Sequence, residues 1–482
     1  MIDFSAVTID PSWAFKVPPT IAHRRLVLPL CLVDGVLQVA MANPQDETAL
    51  NAIRDATGQE VNGLAADREE LRAELLRIYG DARAMQQHNG ESGDPVAIVD
   101  QLLRAAALRR ASDIHFNPSQ DGLFVRMRID GRLEDFTRLS IDMAPSVSSR
   151  LKILSGLDIA ERRAPQDGGF TWRMQQRNAT SRRLDVRVAT LPVRYGERIT
   201  LRLLESDLER LSLPATGLSN DDIAAFRGVL SKPQGLVLLT GPTGSGKTTT
   251  LYAAIQELLA SEPLNILTVE DPIEYEIEGV SQAEVDSNDK VNFTKALRSL
   301  LRHDPDVIMI GEIRDSESLD IAVKAALTGH LVLSTLHTND AVSAVTRLLD
   351  MGLQPHMIAA TLRMSMAQRL VRRLCPNCRM AYAIPEREAA LLGLPELAGR
   401  SAFKAKGCLA CAGRGYKGRT GIFELMIPSA SVLSRIASGA SQGELSEEMR
   451  ACGMRTLIDD ASDKLTAGIT DFAEILRTIG YL

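Results

Sequence analysis

The chain has 482 residues, which exceeds one domain of ordinary size and predicts about three domains. Its residues are 45% apolar and 24% charged, as in globular proteins, and the formal net charge of −6 excludes a general basic field that would attract nucleic acid. The N-terminus, MIDFSAVTIDPSW, lacks the features of a secretory signal, which predicts a cytoplasmic protein. Pro29, Asp34 and Gly35 interrupt the apolar stretch LVLPLCLVDGVLQVAMA, so no membrane-spanning segment is expected.

Residues 1–80 have the pattern of a small α/β domain. Strand-like LVLPLCLV and VLQVAMA lie on either side of Asp34 and Gly35, and helical ETALNAIRDATG and EELRAELLRIYG follow. The polar stretch DARAMQQHNGESGDP then predicts a flexible linker over residues 81–95.

Residues 96–208 predict a second domain. A helical stretch, VAIVDQLLRAAALRR, precedes LFVRMRIDGRLEDF, in which apolar and polar residues alternate up to an Asp-Gly hairpin turn. The strand-like LDVRVATL and ERITLRLL place Arg187, Arg198 and Arg202 in a half-buried sheet, where charged side chains need partners.

Residues 209–482 alternate short apolar strands with amphipathic helices, which predicts a parallel sheet covered on both faces. In the first strand-to-helix turn, GPTGSGKT matches the phosphate-binding pattern G-x-x-x-x-G-K-[ST] in full. Backbone N–H groups in such a turn surround phosphates, Lys247 reaches the outer phosphates, and Thr248 can hold Mg²⁺. The predicted nucleotide-binding residues are Gly241, Pro242, Thr243, Gly244, Ser245, Gly246, Lys247, Thr248 and Thr249.

Nucleotide hydrolysis also needs carboxylates at the ends of later strands. Glu270, Asp271 and Glu274 follow the strand-like NILTV and form either an acidic group at the site or a solvated loop. Glu312 follows the apolar strand VIMI, and we expect it to polarise the attacking water. Gly311 stands where many P-loop enzymes have a metal-binding Asp, which leaves the metal to the remaining acids, waters and the P-loop threonine.

Two histidines, His330 and His337, flank the apolar strand LVLST. Either could meet the γ-phosphate at the end of a neighbouring strand, or be a structural histidine.

Four of the six cysteines form two C-x-x-C pairs, which predicts a structural Zn²⁺ held by four thiolates with no open position. The predicted cytoplasmic location disfavours a disulfide, and a redox role lacks the thioredoxin-like context. Cys31 and Cys452 are assigned no function. The predicted zinc ligands are Cys375, Cys378, Cys408 and Cys411.

Four motifs occur in order: GPTGSGKT, TVEDPIEY, RHDPDVIMIGEIRD and LTGHLVLSTLHTND. They resemble the Walker A, aspartate-box, Walker B and histidine-box motifs of the secretion ATPases of the type II secretion and type IV pilus superfamily, in which Gly311 is usual. The resemblance covers residues 97–482 and extends upstream to ASDIHF, VRMRIDGRLEDF, DVRVATLP and GERITLRLL. It implies an α/β fold: a RecA-like P-loop ATPase domain with a parallel-sheet core, a PAS-like α+β domain before it, the small N-terminal α/β domain, and a tetracysteine zinc subdomain over residues 371–420.

The same resemblance implies roles for individual residues. Glu312 would be the catalytic carboxylate and Glu270 an activating or base-like acid, although these two assignments could be exchanged. His337 would sense the γ-phosphate. Arginines of the PAS-like domain would reach the γ-phosphate, with structural ion pairing as the alternative. These arginines would be Arg187 and Arg202, with Arg194 and Arg198 as weaker matches. Supporting roles would fall to Asp271, Glu274 and His330.

The function implied is a homo-hexameric ATPase that uses ATP and Mg²⁺ to power type II secretion. Residues 1–80 would bind the cytoplasmic domain of a bitopic membrane protein, so that the motor is held peripherally at the inner membrane and pushes on a membrane platform. Pilus retraction ATPases generally lack the cysteine pairs, which disfavours retraction.

Three alternatives stay open. Pilus assembly uses the same engine, but residues 1–80 lack the R-L-G-like repeats with which many pilus-extension ATPases bind a cyclic dinucleotide. A hexameric motor that translocates nucleic acid could use QRLVRRLC as a strand-binding patch, although a helix with one solvated basic face explains that stretch as well. The acidic net charge and the two boxes argue against nucleic acid as a partner. The third alternative is a nucleotide-dependent scaffold without turnover.

Overall fold

The computed structural model describes residues 1–79, 94–175, 181–205, 211–285 and 293–480. Within these ranges, no helix is both long and apolar enough to cross a bilayer.

The chain divides into two units. The second unit contains Asp207–Arg373, Ala381–Lys404 and Arg419–Leu482. The first contains Met1–Ser206 and two later segments, Leu374–Met380 and Ala405–Gly418, which we call the cysteine knuckle.

The N-terminal domain of the first unit is a three-stranded sheet with packed helices. Its elements are strands β1 (Val27–Val33), β2 (Val36–Met41) and β3 (Val61–Ala65) and helices α1 (Pro11–Ala14), α2 (Pro19–Arg25), α3 (Glu47–Thr57) and α4 (Arg68–Tyr79). Asp34 and Gly35 both have positive φ (50° and 81°) and turn β1 antiparallel onto β2, whereas β3 pairs parallel with β2. Asp46 caps α3 by accepting from the Ala49 N–H.

The second domain of the first unit is a six-stranded antiparallel sheet in the order β6-β5-β4-β9-β8-β7. Its elements are β4 (Ala111–Ser119), β5 (Gly122–Ile129), β6 (Arg132–Leu139), β7 (Gln166–Gln175), β8 (Ser181–Val193), β9 (Gly196–Glu205), α5 (Pro95–Arg109) and α6 (Ala144–Leu154). The alternation predicted for β5 is confirmed, since Val125, Met127 and Ile129 are buried against α5 and α6 in one core. Lys152 and Glu197 form a buried ion pair (2.5 Å) beneath the sheet.

The second unit is built on a seven-stranded sheet in the order β12-β11-β13-β14-β10-β15-β18. Its strands are β10 (Gly235–Thr240), β11 (Ile266–Glu270), β12 (Val280–Glu284), β13 (Val307–Ile310), β14 (Leu331–Leu336), β15 (Leu362–Leu374) and β18 (Tyr416–Met426). Strands β10 to β15 pair in parallel, as predicted. Leu236 and Leu238 of β10 pack into one apolar cluster and Val237 and Leu239 into another, so both faces of the sheet are covered.

Helices of the second unit pack on both faces of this sheet, and a small two-stranded sheet pairs β16 (Met380–Ala383) with β17 (Ser401–Lys404). The helices are α7 (Leu213–Thr216), α8 (Asn220–Leu230), α9 (Lys247–Ser261), α10 (Phe293–Leu300), α11 (Ser316–Leu327), α12 (Ser343–Asp350), α13 (Pro355–Thr361), α14 (Glu386–Leu391), α15 (Ala430–Ala437), α16 (Gln442–Ala451), α17 (Leu457–Thr466) and α18 (Phe472–Ile479).

The helical interpretation of QRLVRRLC is wrong. Residues Gln368 to Leu374 belong to β15, which pairs with the central strand β10 and also neighbours β18. Gln368, Val371 and Leu374 are buried, and Arg372 ion-pairs with the buried Glu474 of α18 (2.6 Å). The stretch is therefore an inner strand of the sheet rather than a basic surface helix.

Candidate active site

The phosphate-binding loop connects the central strand β10 to α9, at the carboxyl edge of the parallel sheet. Gly241, Gly244 and Gly246 have φ values of 148°, 77° and 89°, which L-residues rarely adopt. A Cβ at Gly241 would lie 2.5 Å from the Gln368 carbonyl oxygen of the adjacent strand. Among the described residues, no side chain caps the N-terminus of α9, so the first N–H groups of this helix suit an anionic ligand.

Lys247 is buried at the start of α9. Its Nζ donates to the carbonyl oxygens of Gly241 (2.8 Å) and Pro242 (3.2 Å). Burial lowers the pKa of Lys247 to about 8; Glu312 opposes this shift and Arg369 adds to it. The ammonium thus lies inside the loop that the phosphates of a nucleotide would fill.

Two more side chains of the loop and its helix are buried. Thr250 donates to Oε1 of Gln368 (2.9 Å) and thereby fixes α9 against β15. The Oγ of Ser245 has no hydrogen-bond partner within the described part of the chain. A buried hydroxyl of this kind fits a loop that receives phosphate oxygens.

Glu312 and His337 meet at the same sheet edge, after β13 and β14. One Glu312 oxygen lies 3.1 Å from Nε2 of His337, and Nδ1 of His337 lies 3.1 Å from the Gly241 carbonyl oxygen. Arg314 donates to the other Glu312 oxygen (3.3 Å). A chain of polar contacts therefore joins the Walker B carboxylate to the first residue of the P-loop.

Glu270 lies deeper, at the end of β11, and is only 2% exposed. Its carboxylate accepts hydrogen bonds from the side chains of Tyr252, Thr268 (2.6 Å) and Gln282 (3.0 Å). Tyr252 belongs to α9, so Glu270 ties the P-loop helix to the aspartate box.

The other two acids of the aspartate box lie nearer the surface. Asp271 is exposed and ion-pairs with Arg314 (3.1 Å), which also contacts Glu312. The backbone N–H of Glu274 donates to the Tyr252 hydroxyl (3.3 Å).

His330 does not lie with these residues. It precedes β14, at the amino edge of the parallel sheet, whereas the P-loop follows the carboxyl end of β10. Its ring Nδ1 lies 2.9 Å from the Ala325 carbonyl oxygen, at the C-terminal end of α11. His330 therefore contacts the end of α11 at the amino edge of the sheet, opposite to the carboxyl edge at which Lys247 lies.

Of the four arginines of the second domain that were given a role, Arg187 lies on β8, Arg198 and Arg202 lie on β9, and Arg194 lies in the turn between these strands. Arg187 stands directly opposite Arg202 in the strand register, and Arg202 ion-pairs with the buried Asp113 (3.2 Å). The register thus brings two arginines to one position of the sheet, where their positive charge suits an anion. Arg198 is exposed, and Arg194 stacks over the Tyr195 ring (5.5 Å).

The sequence interpretation missed Arg369, the second residue of QRLVRRLC. Its guanidinium is half-buried beside the P-loop and donates to the carbonyl oxygen of Asn339 (2.9 Å), within the histidine box. Burial lowers the pKa of Arg369, against the attraction of Asp340 and Glu424. The sequence suggested a basic surface for this stretch. The position of Arg369 beside the P-loop follows from the pairing of β15 with β10, which local sequence does not reveal.

The four predicted zinc ligands come together in the cysteine knuckle. All four sulfur atoms lie within 4.8 Å of one another, with Sγ separations of 3.8 Å for Cys375 to Cys408 and for Cys378 to Cys411. Zn–S bonds of about 2.3 Å in a tetrahedron require sulfur separations of about 3.8 Å, so the residues fit the ion. Backbone N–H groups of Gly407, Cys408 and Gly415 donate to the sulfurs of Cys378 and Cys411, as N–H groups that orient metal-bound thiolates do.

Comparison with known proteins places this arrangement in a family. The family described as type II/IV secretion system protein matches residues 90–477, and the family described as MshEN domain matches residues 1–85. The chain belongs to the type II/IV secretion system protein family. The predicted superfamily, fold class and enzymatic class are therefore confirmed, and the protein is an ATP-hydrolysing secretion ATPase.

Relatives span nearly the whole chain. The type II secretion system protein E of Pseudomonas aeruginosa is 41% identical over 95% of this chain and 88% of its own length. The type II secretion system ATPase E of Vibrio cholerae is 44% identical (91% and 86%). The type IV pilus assembly ATPase PilB of Myxococcus xanthus is 37% identical (98% and 88%). Relatives of both functions therefore include the N-terminal domain.

Solved structures show the same fold at lower identity. The DotB ATPase of Legionella pneumophila superposes with a TM-score of 0.57 at 24% identity, over 81% of this chain and 98% of that one. The pilus retraction motor PilT bound to ADP gives a TM-score of 0.52 at 24% identity, over 78% and 95%.

Proposed function

We propose that this ATPase powers type II secretion, with hydrolysis carried out by the P-loop edge of its seven-stranded sheet. The observation that carries the proposal is the polar chain from Glu312 through His337 to the Gly241 carbonyl, beside the buried Lys247. Relatives named type II secretion system protein E, 41% to 44% identical over most of the chain, favour secretion as the work performed.

The P-loop binds the phosphates of ATP. Lys247 exchanges its carbonyl partners for phosphate oxygens, and the Ser245 hydroxyl and the α9 N–H groups donate to them. Thr248, which is half-buried at the second position of α9, would hold Mg²⁺. When bound, that ion would neutralise negative charge on the phosphates.

Glu312 polarises the attacking water, and Glu270 positions the aspartate box. Support for this division comes from their surroundings: Glu270 is fully enclosed by three side-chain donors, whereas Glu312 is partly exposed beside the P-loop. His337 senses the γ-phosphate, because one of its ring nitrogens touches the P-loop and the other touches Glu312. Asp271 and Glu274 support the box.

Arg187 and Arg202 supply positive charge to the γ-phosphate. Support comes from their register, since Arg187 of β8 and Arg202 of β9 stand opposite each other and place two arginines at one position of the sheet. Planar guanidinium groups suit phosphate oxygens better than ammonium groups do.

The working particle is a homo-hexamer attached peripherally to the inner membrane through its partners. Residues 1–80 bind the cytoplasmic part of a bitopic secretion protein, and the motor drives a membrane platform. The cysteine knuckle holds a structural Zn²⁺, consistent with its sulfur geometry.

A second candidate is type IV pilus assembly, because a pilus assembly ATPase aligns with 98% of the chain. Deletion of the gene in its host, with complementation by wild type or Glu312→Gln, separates the two. Loss of secreted enzymes with surface pili intact, restored by wild type only, supports secretion; loss of pili with secretion intact replaces it with pilus assembly. If Glu312→Gln complements as well as wild type, the work does not depend on hydrolysis.

A further inference from the structure

The N-terminal domain makes a specific contact with the cysteine knuckle inside the first unit. The Thr8 N–H donates to the Leu409 carbonyl oxygen (2.9 Å), and the Thr8 hydroxyl donates to the Ala410 carbonyl oxygen (2.8 Å). The Leu409 side chain packs on the apolar core of the N-terminal domain. Leu409 and Ala410 are the two residues between the zinc ligands Cys408 and Cys411.

A second part of the same contact explains a glycine. Gly413 has φ of 74°, and a Cβ there would lie 2.1 Å from the carbonyl oxygen of Leu32, in β1. No side chain fits at that distance. The backbone of the knuckle therefore lies directly against the first strand of the N-terminal sheet.

The shape of this surface depends on the second cysteine pair. Cys408 to Cys411 is one short turn, and its sulfurs lie 3.9 Å apart. A metal that binds both sulfurs fixes the conformation of the turn. It thereby fixes the positions of the two carbonyl groups to which Thr8 donates.

We propose that the cysteine knuckle is the docking surface of the N-terminal domain, and that metal in the knuckle keeps the domain docked. The knuckle thus does more than stabilise its own loop: it sets the position of the domain proposed to bind the membrane partner. The docking rests on contacts of this chain alone, and only its metal dependence rests on the zinc assignment.

A second contact limits what undocking changes. Arg109 of α5 ion-pairs with Asp10 (3.4 Å), which joins the N-terminal domain to the second domain independently of the knuckle. Loss of the knuckle contact should therefore loosen the Thr8 segment and β1, while α3 and α4 stay protected.

The test is hydrogen exchange on the zinc-loaded full chain, comparing Gly413→Ala with Gly418→Ala. Both glycines have φ near 75° (74° and 76°), but a Cβ at Gly418 meets nothing within 4 Å. The two variants thus carry the same backbone strain, and only Gly413→Ala opposes Leu32. We expect exchange at Thr8 and in β1 to rise about tenfold in Gly413→Ala only. Equal exchange in both variants would overturn the docking.

Thr8→Val tests the contact from the side of the N-terminal domain, where no change reaches the zinc ligands. The expected result is faster exchange of peptides 1–33 with the zinc content of wild type. Unchanged exchange with zinc retained contradicts the proposal, even if Gly413→Ala misfolds. For the metal dependence, removal of zinc from wild type by a chelator should raise Thr8 exchange as Gly413→Ala does. If Thr8 stays protected without zinc, docking does not depend on the metal and that part of the proposal is wrong.

Discussion

At the scale of single residues, the two acids of the site differ in what surrounds them. Glu270 is enclosed by donors from Tyr252, Thr268 and Gln282, whereas Glu312 shares its oxygens with His337 and Arg314 at the mouth of the loop. Burial with satisfied oxygens suits a carboxylate that holds structure, and partial exposure suits one that meets a water.

Replacement of Glu312 by Gln should lower kcat by about 10²–10⁴-fold, because the amide cannot accept a proton from the water. Steady-state ATPase assays measure kcat, and a fluorescent nucleotide measures binding, which should change little. The control is Glu317→Gln, which removes an exposed carboxylate of α11 that ion-pairs with Arg298 of α10 (3.0 Å). Equal kcat in the two variants would remove Glu312 from the catalytic step.

The pH dependence of ATP binding should report Lys247. Its pKa is lowered to about 8, mainly by burial, so the free site loses its positive charge as the pH rises through 8. Bound phosphates favour the ammonium, so ATP binding above pH 8 should weaken and should take up a proton. Calorimetry in two buffers of different ionisation enthalpy detects that proton as a difference in heat. The exposed Lys232→Ala variant should keep this difference; equal heats for wild type would exclude Lys247 as the group that titrates.

The shape of the predicted phosphate-binding loop could be read from the sequence because it is local: glycines that adopt positive φ and a lysine at a helix start occur within eight residues. His330 and Arg369 are different cases. Strand direction decides which edge of the sheet His330 occupies, and strand pairing decides whether Arg369 lies beside the P-loop, far earlier in the chain. Local residue spacing contains neither kind of information.

At the scale of elements, the last helix is fastened to the sheet by an ion pair. Glu474 of α18 is 1% exposed and accepts from the Arg372 guanidinium (2.6 Å), the Arg372 N–H (3.2 Å) and Arg477 (2.7 Å). Although burial opposes it, these donors lower the pKa of Glu474 to about 2. The pair therefore stabilises the fold fully above the ordinary Glu pKa of 4.5 and loses its effect as the pH falls towards 2.

Glu474→Gln should destabilise the second unit by about 3–5 kcal/mol, since it removes the buried carboxylate with which the Arg372 guanidinium ion-pairs. Thermal unfolding followed by fluorescence should show a fall of several degrees that shrinks as the pH is lowered below 4.5. Glu447→Gln changes an exposed glutamate of α16, in the same unit, and serves as the control. A fall that is independent of pH would contradict the ion-pair account.

Most elements were predictable because their periodicity is strong, as in β5, α9 and α4. The stretch QRLVRRLC misled because its charges suggest a solvated face, whereas in β15 Arg369 and Arg372 find carbonyl and carboxylate partners beside buried Val371. A charged residue in a sheet is explained by its partners, and these come from distant parts of the chain.

At the scale of the whole molecule, the proposed hexamer predicts a measurable signature of catalysis shared between subunits. Mixing Glu312→Gln subunits with wild type should lower the ATPase rate per wild-type subunit, because inactive neighbours stall a coupled ring. Subunits of Lys232→Ala, with an intact site, should leave that rate unchanged in the same mixtures. A rate that falls only in proportion to dilution would indicate independent subunits.

One strand, β15, joins three constraints within seven residues: Arg369 beside the P-loop, Arg372 at the last helix, and Cys375 directly after the strand. Side chains of a strand alternate between its two faces, so inserting a single residue between Arg369 and Arg372 would exchange the faces on one side of the insertion. No such insertion could keep both arginine contacts. This stretch should tolerate substitutions that preserve length far better than any change of length. The surface loops of the chain, in contrast, should also accept insertions.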